Sequence, residues 1–226
     1  MNRAFVDRED AGRQLAEKLA GLRLERPLVL AVPRGGVPVG FEIAKALGAE
    51  LDVVLVRKIG APGQPELAVG AVVDGVRPET VWNHAILDAL GLTEEALQED
   101  VKREIDEIER RRRVYIGGRP RPAIAGRTVI VVDDGIATGA TVRAALIAIR
   151  RGAPKRLLLA VPVAPPDTVE MLRAEVDELV CLQTPEPFGS ISQFYRSFPQ
   201  LTDAQVTDLL GRAVPARRAS ELSDRP

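Results

Sequence analysis

Apolar residues follow two rhythms along this chain. Across residues 8–22, Ala11, Leu15 and Leu19 recur every four positions with charges between them, the spacing of a helix that buries one face. After Pro27 the rhythm changes to an unbroken apolar run, Leu28-Val29-Leu30-Ala31-Val32, which predicts a buried strand ending at Pro33-Arg34-Gly35-Gly36. The same signals predict a helix over 37–47, a strand over 51–56, a Gly/Pro-rich loop over 58–65, and a short strand over 69–73 that hairpins onward through Asp74-Gly75. The longest helical pattern covers 94–113, with Leu97, Val101, Ile105 and Ile108 as its stripe. Strands at 128–132, 156–161 and 179–182 then alternate with helices at 138–151, 165–174 and 202–210. Strands alternating with helices predict an α/β fold, a mostly parallel sheet flanked by helices. Residues 1–212 are expected to form a single domain, and the polar, proline-bearing stretch 213–226 a disordered tail.

Composition narrows the chemistry. The 226 residues suit one α/β domain, and with only 4% aromatics its core must be built from Val, Leu, Ile and Ala. Thirty-one basic residues against 32 acidic ones leave a net charge of -1, so nothing pulls the whole molecule toward nucleic acid or membrane, and any anion site must be local. No apolar run approaches the ~20 residues of a membrane span, and Met1 to Phe5 begins no signal peptide, so a cytoplasmic protein is expected. The lone Cys181, within Leu179-Val180-Cys181-Leu182, reads as a small buried hydrophobe rather than a nucleophile. On the 94–113 helix, Asp106–Arg110, Glu107–Arg111 and Glu109–Arg113 stand in the favourable acid-before-base order. The run Arg110 to Arg113 suits the negative end of the helix dipole; its positive potential would also serve a phosphate. His84, after Trp82-Asn83, is expected to be structural or on the surface.

Ligands of open α/β sheets sit at the carboxyl ends of strands. One strand end here carries two adjacent carboxylates, Asp133 and Asp134, followed by a loop of small residues that opens a helix. Ala137, Gly139 and Ala140 let an anion approach the backbone; the N–H groups of residues 138–141 and the hydroxyls of Thr138 and Thr141 would point at it. Carboxylates beside a phosphate cradle suit a ligand with both phosphate and vicinal hydroxyls, as in a ribose 5-phosphate. An ordinary capped helix needs only one Ser, Thr, Asp or Asn, and would not call for the double acid.

The run Val131-Val132-Asp133-Asp134-Gly135-Ile136-Ala137-Thr138-Gly139-Ala140-Thr141 resembles the motif by which type I phosphoribosyltransferases bind 5-phosphoribosyl-1-pyrophosphate, PRPP. The resemblance extends from about Pro27 to Leu182, and implies that fold with a small hood built by residues 1–26 and 183–211. It places the 5-phosphate on Ala137, Thr138, Gly139, Ala140 and Thr141, and the ribose hydroxyls on Asp133 and Asp134. Pyrophosphate falls to Arg34, Gly35 and Gly36, with a cis peptide at Arg34–Gly35, and to Arg57 and Lys58. Asp133, Asp134, Arg34 and Lys58 become the catalytic set. Mg²⁺ would enter with the pyrophosphate and meet Asp133 or Asp134 through water. The segment after Lys58 resembles a flap, but carries no basic residue before Arg77, so Arg111, Arg113 or Arg119 would have to substitute. Ala137 stands where hypoxanthine-guanine-type relatives carry an acid, and Glu66 is a candidate base. Four of the eight aromatics, Phe188, Phe194, Tyr195 and Phe198, cluster near the C-terminus, and Phe188 or Tyr195 could stack on the acceptor or anchor the segment to the core. The resemblance implies PRPP-dependent transfer to a nitrogenous acceptor, a heterocyclic base, in a fold that often forms homodimers. The alternative is a PRPP-binding regulator, although only residues 110–121 are locally basic. No other nucleotide-binding fingerprint is present.

Overall fold

The computed structural model describes residues 4–75 and 77–213, apart from the side chain of Glu66. The expected tail from residue 214 onward and the acid–base role for Glu66 lie outside that description.

The chain runs α1 (Arg8–Ala20), β1 (Leu28–Ala31), α2 (Gly36–Leu47), β2 (Glu50–Val53), β3 (Val56–Ala61), β4 (Gln64–Val73), β5 (Glu79–Trp82), α3 (His84–Leu90), a 3-10 turn (Glu95–Leu97) and α4 (Gln98–Ile116). It continues through β6 (Thr128–Val132), α5 (Ala140–Arg151), β7 (Arg156–Val163), α6 (Pro166–Arg173), β8 (Glu178–Gln183), a second 3-10 turn (Ile191–Phe194) and α7 (Asp203–Arg212). Five strands form a parallel sheet in the order β2-β1-β6-β7-β8, flanked by helices.

Alternation along each strand explains why these strands are apolar throughout. Val29, Ala31, Ile130, Val132, Leu158 and Ala160 face one core, which takes Leu15 and Leu19 of α1, Val37 and Ile43 of α2, and Val206 and Leu210 of α7. Their neighbours Leu28, Leu30, Val129, Val131, Leu157 and Leu159 face the other, against Val142, Leu146 and Ile149 of α5 and Leu172 of α6. A strand covered on both sides has no polar face to show. No helix among the described residues is long and apolar enough to cross a membrane.

The structure corrects the expected loop at 58–65. Those residues belong to an antiparallel sheet, β3-β4-β5, whose first hairpin turns at Pro62-Gly63. Gly63 supplies the turn with φ 74°. The glycines and prolines had masked the alternate burial of Ile59 and Ala61, the strand signal of a half-buried sheet. The strand expected at 51–56 is two: β2 ends at Val53, and Val56 opens β3. The cis peptide lies at Pro33–Arg34, one bond before its expected place, and a second at Glu186–Pro187.

Candidate active site at the switch point of the sheet

β1 and β6 lie side by side, but the chain leaves β1 for β2 on one side and reaches β6, β7 and β8 on the other. Such a switch point opens a crevice beyond the strand ends. The ladder continues past β1, with Val32 N–H donating to the Val132 carbonyl at 2.8 Å, so the two following loops start in register. They touch: a Cβ on Gly36 would lie 2.6 Å from the Val132 carbonyl oxygen and 3.0 Å from Asp133 Cα, and one on Gly35 would run into the Asp134 carboxylate. Only glycines permit this approach, so the structure brings Gly35 and Gly36 together with Asp133 and Asp134.

The two acids differ. Asp133 is half-buried, and its Oδ1 accepts the Asp134 N–H at 2.8 Å. Burial first, then the neighbouring Asp134 charge, push its carboxyl well above the ordinary range. Asp134 is buried; Arg8 Nε donates to its Oδ2 at 2.7 Å and Tyr195 Oη–H to its carbonyl at 2.6 Å. Burial raises Asp134 as well, and Arg8 opposes the rise.

Beyond the acids, Ile136 is anchored through its N–H to the Val163 carbonyl at 2.9 Å, while Ala137 and Thr138 are exposed. Gly139 takes φ 77°, which the expected helix start at residue 138 could not contain, so α5 begins at Ala140. No side chain caps α5, and Ala140 and Thr141 stand exposed in its first turn. The first turn of a helix presents N–H groups with no partner within the helix. From α6, Thr168 Oγ1–H donates to the Ala137 carbonyl at 2.7 Å.

The basic candidates separate. Arg34 is exposed, with Asp203 Oδ1 at 3.7 Å; that same oxygen accepts the Tyr115 hydroxyl at 2.8 Å, and burial followed by this acid pushes the Tyr115 phenol to about 12. Arg57 Nε donates to Glu104 Oε2 of α4 at 2.6 Å, whereas Lys58 lines a cavity of about 210 Å³ with Trp82, His84, Ala140 and Thr141. Successive residues of a strand point to opposite faces, so Arg57 and Lys58 do not serve one anion together. The structure brings Lys58, not Arg57, to the small-residue loop, and puts His84 in the same cavity.

Tyr195 as an acceptor platform is also corrected. Its ring is buried against Phe5 at 5.4 Å and Phe198 at 4.9 Å, and its phenol is raised by burial, so no face remains for a base. Phe188 stacks on Phe194 at 5.3 Å and is half-buried. Within the Arg110–Arg113 run, Arg110, Arg111 and Arg112 form ion pairs with acids of the fold, and Arg113 is exposed. Arg112 is buried between Asp52 (2.8 Å) and Asp74 (3.0 Å), and Arg111 donates to Glu107 at 2.7 Å. Glu109 turns to Arg121 (2.6 Å) and Glu107 also takes Arg110, so of the three expected helix pairs the structure forms Glu107–Arg111. Cys181 is half-buried, bonded to the Gln183 carbonyl, and its thiol is pushed up to about 11 by burial, which leaves it protonated at neutral pH. Sequence reasoning missed Arg8, Thr168 and Glu104, whose partners lie 126, 31 and 47 positions away.

The fold is a parallel sheet covered on both faces, and its switch point joins a double acid to a small-residue loop. Residues 5–198 match the family model described as a phosphoribosyl transferase domain, and the chain belongs to that family. It is 46% identical over 210 residues to a protein named "Putative phosphoribosyl transferase" in two strains of Mycobacterium tuberculosis. That alignment covers 92% of this chain and 47% of theirs, so the chain spans about half the length of the curated relatives it matches. Among solved structures, TT1426 from Thermus thermophilus is 46% identical, with a TM-score of 0.78 over 92% of this chain and 97% of that one.

Proposed function

We propose that the chain transfers the 5-phosphoribosyl group of PRPP to a nitrogenous acceptor, a heterocyclic base, with release of pyrophosphate. The observation that carries the reading is the contact between the two strand-end loops, where Gly35 and Gly36 lie against Asp133 and Asp134 at the switch point. In the reaction the acceptor nitrogen forms a bond to C1′ as the C1′–oxygen bond to pyrophosphate breaks, and the electron pair leaves with pyrophosphate. The protein's part is positioning and charge stabilisation. Residues 137–141 hold the 5-phosphate, and Asp133 accepts from the ribose hydroxyls. Gly35 and Gly36 give the pyrophosphate room beside the backbone, with Arg34 and Lys58 as its cations. Of the two candidate aromatics, Phe188 is the one left to meet the acceptor.

The donor set fits Mg²⁺ carried in by its substrate. No cluster of three or more His, Cys, Asp or Glu side chains exists among the described residues, and Asp133 is a carboxylate that burial and Asp134 drive toward protonation. A hard cation would restore its charge, and takes its remaining ligands from phosphate oxygens and water. When bound, Mg²⁺ would neutralise charge on the leaving pyrophosphate.

A second reading, PRPP binding without turnover, is favoured by two ion pairs: Asp134 and Arg57 are already engaged by Arg8 and Glu104. Calorimetric titration of PRPP with Mg²⁺ into wild type and Asp133→Asn tests the site, and pyrophosphate release with a panel of bases separates the two readings. Binding by wild type and its loss in the variant are expected. Equal binding by both proteins would remove Asp133 from the site; binding without release from any base would favour the regulator.

A further inference from the structure

Arg8 occupies a position where general rules disfavour it. It is buried, and it opens α1, where a cation opposes the positive end of the helix dipole. Burying a guanidinium is costly unless its partners are well placed. Here they are. Nε donates to Asp134 Oδ2 at 2.7 Å, Nη1 donates to the Pro199 carbonyl at 2.8 Å, and the guanidinium carbon lies 3.7 Å from the Phe198 ring centroid. Phe198 leans on Tyr195, whose hydroxyl holds the Asp134 carbonyl. The strap that carries these groups is itself paired: Phe5 N–H donates to Phe194 (2.9 Å), and Arg196 N–H to Phe5 (2.8 Å). Asp134 is therefore gripped at both its carboxylate and its carbonyl, with Gly35 against the carboxylate.

We infer that Arg8 is a positioning residue of the PRPP site. It holds the Asp134 carboxylate on Gly35, keeps the pyrophosphate loop and the double acid in one register, and leaves Asp133 to meet the sugar. The inference rests on the function proposed above. It assigns the two acids different tasks: Asp133 touches ligand, and Asp134 ties together the loops that do. A lysine keeps the charge but loses the rigid fork that spans Asp134 and the Pro199 carbonyl, and the flat face that stacks on Phe198.

The test titrates PRPP with Mg²⁺ into the full chain as wild type, Arg8→Met, Arg8→Lys and Leu19→Val, each well below its own melting temperature. Leu19 is buried on the same helix as Arg8 but packs in the main core, apart from the Phe5–Tyr195 cluster, so Leu19→Val reports loosened packing alone. Arg8→Met is expected to weaken binding about tenfold or more, the effect of a displaced binding group. Arg8→Lys should recover part of the loss, and Leu19→Val should melt earlier with affinity within about twofold of wild type. Two outcomes overturn the inference: a folded Arg8→Met that binds as wild type does, or a Leu19→Val that loses as much as Arg8→Met. Should Arg8→Met fail to fold, Arg8→Lys decides, and affinity equal to wild type overturns it. A wild type that binds no PRPP brings down the proposed function, and this inference with it.

Discussion

Two regions of the molecule bury carboxylates, and they are balanced differently. Beneath α4, Asp74 is pushed up by burial but pulled back by Arg112 and Arg121, and Asp52 shares Arg112. The charges there answer one another. At the switch point, burial and the Asp134 charge push Asp133 in the same direction, and Arg8, the cation in contact, is bonded to the neighbour. The first cluster is complete as it stands and reads as structure. The second is short of positive charge, which the cation proposed to enter with PRPP would supply.

The largest effect should come from breaking the balanced cluster. Arg112→Met leaves two acids buried without their shared cation, and should cost about 3–5 kcal/mol of stability in denaturant unfolding. A loss under about 1 kcal/mol would show that Arg121 and water compensate, and that the two regions are less different than their geometry suggests.

The intermediate effects set the two adjacent acids against each other. Asp134→Asn strips Arg8 of its charged partner and should cost about 2–3 kcal/mol. Asp133→Asn removes a carboxylate that the fold disfavours, and should gain on the order of 1 kcal/mol at pH 7 while abolishing PRPP binding. The sign follows from linkage. A carboxyl raised in the folded state favours folding below its unfolded pKa of about 4, and that contribution is lost as pH rises through the folded pKa. Wild type should therefore lose stability relative to Asp133→Asn as pH climbs from about 4 toward neutrality. Melting curves across that range check it, and a gap that narrows with rising pH contradicts the picture.

The smallest effect concerns Arg57. If its bond to Glu104 is structural, Arg57→Ala should cost about 1 kcal/mol or less, because both side chains are partly exposed, and leave PRPP affinity unchanged. A marked loss of affinity would return Arg57 to the pyrophosphate site.

How much was legible follows from which interactions are local. The strands of the parallel sheet announce themselves because both faces are buried, so Leu28 to Ala31 and Thr128 to Val132 carry almost no polar interruption. The β3–β4 hairpin did not, because Gly60, Pro62, Gly63 and Pro65 look like loop residues, while the pairing that makes them sheet lies across the turn. The small-residue loop and the double acid were legible because one stretch of chain carries them. Arg8 was not, since no spacing rule connects the first residue of a helix to an acid 126 positions on. Tyr195 was noticed as an aromatic, yet its role depends on Phe5 and Phe198 closing around it.

The hydrogen bond from Thr168 to the Ala137 carbonyl reaches further than one bond. A peptide group is flat and trans, so its oxygen and the next residue's hydrogen point in opposite directions. With the Ala137 oxygen turned inward to α6, the Thr138 N–H in the same plane is turned outward, where Ala137 and Thr138 meet solvent. One hydroxyl on a different helix thus fixes which pole of this peptide faces solvent, the side from which the proposed 5-phosphate would approach.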